Sequence, residues 1–282
     1  MTTRVAYVCL AVLAGAGCTT STQVSAPRAA AAVPTTLSAA TFDTNPSSSV
    51  RPTATLPATS TSTAQAADFL GEVTIGYSVQ GRPIVASHRG TAGGTVILVV
   101  GVIHGNENVG LAILEDLRTM PLPPNTDLWL MDAMNPDGLA NDVRHNGNGV
   151  DLNRNFPHDW TQVGELGVWE YSGTGPASEP ETQAFIAFSE SIQPALTLWY
   201  HQDLFRISPS KGSDRKLRER YAELSGLPLV AVTGGTYTGV AATWVRRTLP
   251  KAMSFIIELG PTLSADEAAT HAAAVLDIVT RV

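Results

Sequence analysis

Residues 95–108 read TVILVVGVIHGNEN. The apolar run from Val96 to Val100 contains no Gly or Pro, as expected for a strand covered on both faces rather than one half-exposed to water. The chain leaves that strand and at once places His104 and, three residues later, Glu107. A metal is one explanation and chance is the other, because a lone H-x-x-E pair is a weak signal. The flanking segments bear on the choice.

Moving outward, GEVTIGYSVQGRPIVASHRG (71–90) alternates in short stretches broken by Gly and Pro, which predicts a β-hairpin. NVGLAILEDLRTM (108–120) has apolar residues at helical spacing, with Asn108 as the expected cap. DLWLMDAMNPDG (127–138) reads as a strand and a turn, and SEPETQAFIAFSESI (178–192) as a helix opened by Ser178. ALTLWYHQ (195–202) and MSFIIELG (253–260) are further strands. DRKLRERYAELSG (214–226) is an exposed helix stopped by Gly226, and SADEAATHAAAVLDIVTRV (264–282) is the last helix. Apolar strands separated by helices predict an α/β fold: a mixed, largely parallel twisted central sheet with helices on both faces. Ligands in such folds sit beyond the carboxyl ends of the strands. Here those ends carry His104, the Asn135-Pro136-Asp137-Gly138 turn, His201 and Glu258. His104, Glu107 and His201 together offer two nitrogens and a carboxylate, a donor set suited to catalytic zinc with one position left open.

The stretch VRHNGNGVDLNRNFP (143–157) holds Arg144, Asp151, Asn153 and Arg154 among glycines and asparagines. A planar guanidinium can hold a carboxylate through two parallel hydrogen bonds. The alternative is a polar loop with structural ion pairs. The ordered set of HGNE, NPDG, R-x-N-x-x-GVDLNRNFP, a strand-ending His and IIEL, from about Ser78 to Leu259, resembles the zinc carboxypeptidase family. The short body is similar to its compact bacterial members, including the murein tripeptide amidases. The resemblance implies one zinc ion per chain held by His104, Glu107 and His201, with Glu258 as general base. It implies that Arg144 polarises the scissile carbonyl, that Asn153 and Arg154 grip a terminal carboxylate, and that Asp151 orients the first zinc histidine. The family's mobile, substrate-closing tyrosine finds a counterpart in Tyr237 of GGTYTGVAATW (234–244), although its spacing to Trp244 departs from the digestive enzymes. His88, His145, His158 and His271 are read as surface or packing residues.

Of 282 residues, 44% are hydrophobic and 15% charged, which suits one or two globular domains. The first 66 hold three Arg and one Asp, so the remaining 15 basic (18 less 3) and 24 acidic residues (25 less 1) give −9. A basic footprint for nucleic acid is absent. Residues 1–18, MTTRVAYVCLAVLAGAGC, read as a secretory signal. Ala14-Gly15-Ala16 fits ordinary cleavage, while Gly15-Ala16-Gly17-Cys18 resembles a lipobox and implies a lipid anchor on Cys18. Residues 19–66, dominated by Ala, Thr, Ser and Pro, read as a disordered linker, leaving 67–282 as the catalytic domain. Cys9 and Cys18 are the only cysteines, so the domain relies on its core and any metal on His and carboxylate.

An exported, tethered hydrolase beside the cell wall points to peptidoglycan stem peptides, and relatives cleave the γ-D-glutamyl–diaminopimelate bond. The alternatives are a general metallocarboxypeptidase, an acyl-amino-acid amidohydrolase and a non-catalytic wall-binding module. Diaminopimelate would need a polar pocket, to which Asp203, Arg206, Arg246 and Arg247 are near in sequence. A monomer is the expected state.

Overall fold

The computed structural model describes residues 67–282, so the leader, Cys18 and the linker lie outside the described residues. Seven strands form one sheet: β1 (Phe69–Tyr77), β2 (Pro83–Gly90), β3 (Thr95–Val102), β4 (Thr126–Ala133), β5 (Leu196–Gln202), β6 (Arg206–Ile207) and β7 (Met253–Leu259). Their spatial order is β1-β2-β4-β3-β5-β7-β6. The central β4-β3-β5-β7 block is parallel; β1, β2 and β6 run antiparallel to their neighbours.

The periodicity explains which residues point where. Ile97 and Val99 of β3 enter one core, while Leu98 and Val100 enter the other. Both faces are covered, so the strand reads as continuous hydrocarbon. The same alternation sends Leu196, Leu198 and Tyr200 of β5 to the first face and Trp199 to the second. His201 therefore shares the face of Trp199, and Glu258 shares that of Ile256, next to it across the β5–β7 ladder.

Helices α1 (Leu111–Thr119), α4 (Arg215–Ser225) and α6 (Ala265–Val279) cover the first face; α3 (Pro180–Ile192) and α5 (Ala241–Thr248) cover the second. The NPDG stretch continues into a short helix, α2 (Pro136–Asn141), rather than stopping at a turn; Asn135 caps it by accepting from Gly138 N at 2.8 Å. Gly226 ends α4 in the left-handed conformation, and Ser264 forms a capping box with Glu267 at the start of α6.

Three local expectations need correction. Asn108 does not cap α1, which starts three residues later. Val109 N instead donates to Gln202 Oε1 at 2.9 Å, and Gly110 lies so close to Tyr200 that a Cβ there would sit 2.7 Å from Tyr200 Cβ. Ser178 does not cap α3; its hydroxyl donates to Glu179 and accepts from Asn155. Helix α4 is not simply exposed, because Leu217, Arg218, Tyr221 and Ala222 are buried. Helix α5 has no start signal in its own sequence. The amide of Ala241 is satisfied from far along the chain, donating to Asn153 Oδ1 at 3.0 Å.

Candidate metal centre and catalytic cleft

Strand β3 connects through α1 to β4 on one side, whereas β5 leads to β6 and β7 on the other. The chain changes direction between β3 and β5, and the crevice at such a point is where α/β sheets place their ligands. The loop after β3 delivers His104 and Glu107 to it, and the end of β5 delivers His201.

These three residues are buried, and one donor atom from each lies within 4.8 Å of the others. His104 Nδ1 is 2.9 Å from Glu107 Oε1, and His201 Nδ1 is 2.9 Å from Glu107 Oε2. His104 Nε2 donates to Asp151 Oδ1 at 3.0 Å; a carboxylate can only accept, so this bond leaves the Nδ1 lone pair facing the crevice. Asp151 also takes Arg144 Nε and Nη2 on Oδ2, at 3.0 and 2.8 Å. The third Arg144 nitrogen, Nη1, approaches Glu107 Oε1 at 2.9 Å and His104 Nδ1 at 3.0 Å. Two imidazole rings and a carboxylate thus converge where positive charge is required, and the guanidinium edge partly supplies it.

Electrostatics agree. Burial works to lower the His104 pKa, but Asp151 and Glu107 outweigh it and raise the value. Burial works to raise that of Glu107, yet His104 and His201 hold it well below the usual carboxylate range. Asp151 is buried and likewise held low, by His104 and Arg144. A two-nitrogen, one-carboxylate set with no thiolate fits zinc.

Glu258 faces the same crevice from β7. It is in register with His201 on one side and with Arg206 on the other. Its Oε2 is buried with no hydrogen-bond partner among the described residues. Burial raises its pKa and Glu107 adds to the rise, with His201 opposing.

The GVDLNRNFP segment folds into a 3-10 turn at Leu152–Arg154, capped by Asp151, which accepts from Asn153 N at 2.9 Å. Asn153 uses its oxygen on Ala241 N, leaving its NH2 group for other partners. Arg154 is buried; Nη1 donates to the Asn153 carbonyl at 3.0 Å, Nη2 pairs with Glu170, and Nε has no partner among the described residues. Tyr237, 57% exposed, lays its ring 5.5 Å from the Arg154 guanidinium carbon. The structure therefore brings Tyr237 to the cleft with the other sequence-selected residues.

Sequence reasoning missed two neighbours, Trp169 and Glu170. The Trp169 ring lies 4.9 Å from the Arg144 guanidinium carbon, and its carbonyl is 2.9 Å from His145 Nε2. Both residues sit in an irregular polar loop that carries no motif. Gly105, between the two zinc-loop residues, abuts Gly138 of the NPDG segment: a Cβ on Gly105 would lie 1.8 Å from the Gly138 carbonyl carbon.

A family model for zinc carboxypeptidases matches residues 59–234. Murein peptide amidase A of Escherichia coli K12 is 33% identical over 181 residues, covering 60% of this chain and 74% of that protein. Its namesake in Vibrio campbellii is 30% identical over 218 residues, covering 72% and 85%. The crystal structure of murein-tripeptide amidase MpaA from E. coli O157 superposes with a TM-score of 0.64 at 30% identity, covering 74% of this chain and 92% of that one. Carboxypeptidase A from Helicoverpa armigera shares the fold at 19% identity, with a TM-score of 0.66. The segment matched by the family model ends at residue 234, before Glu258, which the β5–β7 register sets beside His201. A crevice formed by backbone topology, a donor set that calls for zinc and a likeness spanning most of the domain lead to one assignment: this chain belongs to the zinc carboxypeptidase family of metal-dependent hydrolases.

Proposed function

We propose that this protein is a zinc-dependent amidase of peptidoglycan stem peptides, hydrolysing the bond between a γ-D-glutamyl group and a carboxylate-bearing leaving residue of the diaminopimelate type. The observation that carries the hydrolytic reading is Glu258: a buried carboxylate oxygen without a partner, one strand from His201. The likeness to murein peptide amidases supports the substrate.

His104, Glu107 and His201 would hold the ion, and Asp151 would keep the His104 ring in the required tautomer. Zinc at this position supplies a Lewis acid that brings the pKa of water to about 7 and polarises a carbonyl. Glu258 takes the proton from the attacking water and later delivers it to the leaving nitrogen. Its raised pKa brings it nearer the working range for that transfer. Arg144 lies where a guanidinium can stabilise developing oxyanion charge. Asn153 and Arg154 fix the leaving residue by its carboxylate, which lowers the entropic part of the barrier. The carboxylate of Glu170 already sits on Arg154, so substrate binding exchanges one anion for another at that guanidinium.

The leader and linker support a further reading, that the enzyme is exported and works near the cell wall, with or without a lipid on Cys18. Incubating the zinc-loaded protein with γ-D-glutamyl-diaminopimelate peptides and with ordinary peptides, followed by mass spectrometry, tests the substrate. Release of diaminopimelate is expected. Cleavage of ordinary peptides alone would replace this reading with that of a general carboxypeptidase.

A further inference from the structure

Beside Glu258 the cleft opens into a cavity of about 590 Å³, lined by β6, the segment after it, and faces of α4, α5 and β7. Its charges do not balance. Arg206, Lys211, Arg218, Arg246 and Arg247 line it, against the carboxylates Asp214 and Glu258. Asp214 is committed to Arg218, accepting from Nε at 2.8 Å and from Nη2 at 2.6 Å. The other four cations have no carboxylate partner among the described residues.

The imbalance is sharpest at Arg246. Its Nη1 donates to the Ser254 carbonyl at 2.8 Å, and Arg218 Nη2 donates to the same oxygen at 3.2 Å. Two guanidinium groups therefore share one neutral acceptor. Like charges held this close in a partly buried site raise the affinity for an incoming anion. Arg246 Nη2 is fixed by Thr243 Oγ1 at 3.0 Å, so the head group is already oriented.

Depth along β7 sets the geometry. Ser254, Ile256 and Glu258 alternate onto the same face, so the carbonyl that anchors Arg246 is four residues, roughly 13 Å, from Glu258 along the strand. Val240, Ala242 and Ile256 line the space with hydrocarbon. A cavity with an apolar wall of Val240, Ala242 and Ile256 between Glu258 and an oriented guanidinium matches an aliphatic side chain that ends in a carboxylate.

We propose that Arg246 is the specificity-determining residue of this enzyme, and that it reads a carboxylate at the far end of the leaving residue's side chain. This rests on the reading above that the leaving residue is gripped by its carboxylate at Asn153 and Arg154, and it adds that the side chain enters the cavity beside Glu258. It goes further by assigning the discriminating residue and the charge it requires.

Three γ-D-glutamyl substrates isolate the carboxylate: one releasing diaminopimelate, one releasing its distal carboxamide, and one releasing lysine. With the native zinc-loaded enzyme, kcat/KM is expected to favour diaminopimelate over both others by about a hundredfold, as for a site built to pair a polar group that the analogue lacks. In Arg246→Gln the ratio of diaminopimelate to carboxamide should fall towards one, mainly through a higher KM for the diaminopimelate substrate. Arg246→Lys should restore part of it. Zinc content and thermal melting establish that each variant is folded, and the native comparison needs no variant. Equal kcat/KM for the acid and its carboxamide in the native enzyme would overturn the proposal, as would an Arg246→Gln variant that keeps the ratio. If no γ-D-glutamyl substrate is cleaved, the stem-peptide reading fails instead. Ordinary peptides releasing glutamate or glutamine then put the same question to Arg246, and equal rates for the two would overturn the proposal there.

Discussion

Tyr200 and His201 are consecutive in β5, yet they look into different chemistries. On one face Tyr200 Oη is 3.0 Å from Tyr221 Oη, which is 2.8 Å from His271 Nδ1, all inside the α1/α4/α6 core. The two hydroxyls and His271 Nδ1 satisfy one another, and none needs a charge. On the other face His201 meets Glu107, with Glu258, Asp151 and His104 close by. There Glu107 and Asp151 share one guanidinium, that of Arg144, while Glu258 has an oxygen with no hydrogen-bond partner among the described residues. Burial is common to both settings. The difference lies in charge: a neutral, self-satisfied network stabilises the core, whereas an unbalanced one calls for a ligand.

The largest test of this contrast is Glu258→Gln. It should reduce kcat by about 10²–10⁴-fold while elemental analysis still finds one zinc per chain. A metal-replete variant that turns over normally would remove Glu258 from the base role.

The neutral side makes its own prediction. Burial pulls the His271 pKa down to about 4, with Glu267 opposing, whereas an unfolded histidine titrates near 6.5. The unfolded chain thus binds the proton more tightly. The stability that this histidine contributes is complete above about pH 6.5 and is lost as pH falls towards 4, by on the order of 3 kcal/mol. Denaturant titrations of the zinc-loaded protein and of His271→Gln across that range should diverge from each other in slope. Parallel curves would mean that His271 is not held neutral.

A smaller effect is expected for Asp151→Asn, which keeps the shape but weakens the carboxylate hold on His104. Zinc affinity, measured by chelator competition, should fall about 10–100-fold. Unchanged affinity would show that the neighbouring guanidinium, not the carboxylate, fixes the ring.

The contrast also marks how far the sequence could be read. The parallel core was legible because β3, β5 and β7 are apolar on both faces and end in His104, His201 and Glu258. Residues 143–157 were legible through the resemblance that GVDLNRNFP carries; their Gly, Asn and Arg content alone left a polar loop with structural ion pairs equally open. Helix α5 was not, because its opening amide is answered by Asn153 rather than by a local cap. Trp169 and Glu170 were invisible for a related reason: they approach the two arginines through loop geometry, which has no period. Asn108 misled because a good capping residue was placed where Gln202 does the work.

The meeting of Gly105 and Gly138 has an engineering consequence. With no room for even a methyl group between them, the metal-bearing loop and the NPDG helix behave as one moulded part. Transplanting HGNE into another α/β scaffold would therefore require bringing the second strand's exit with it, glycine included, because the loop borrows its curvature from the backbone it rests on.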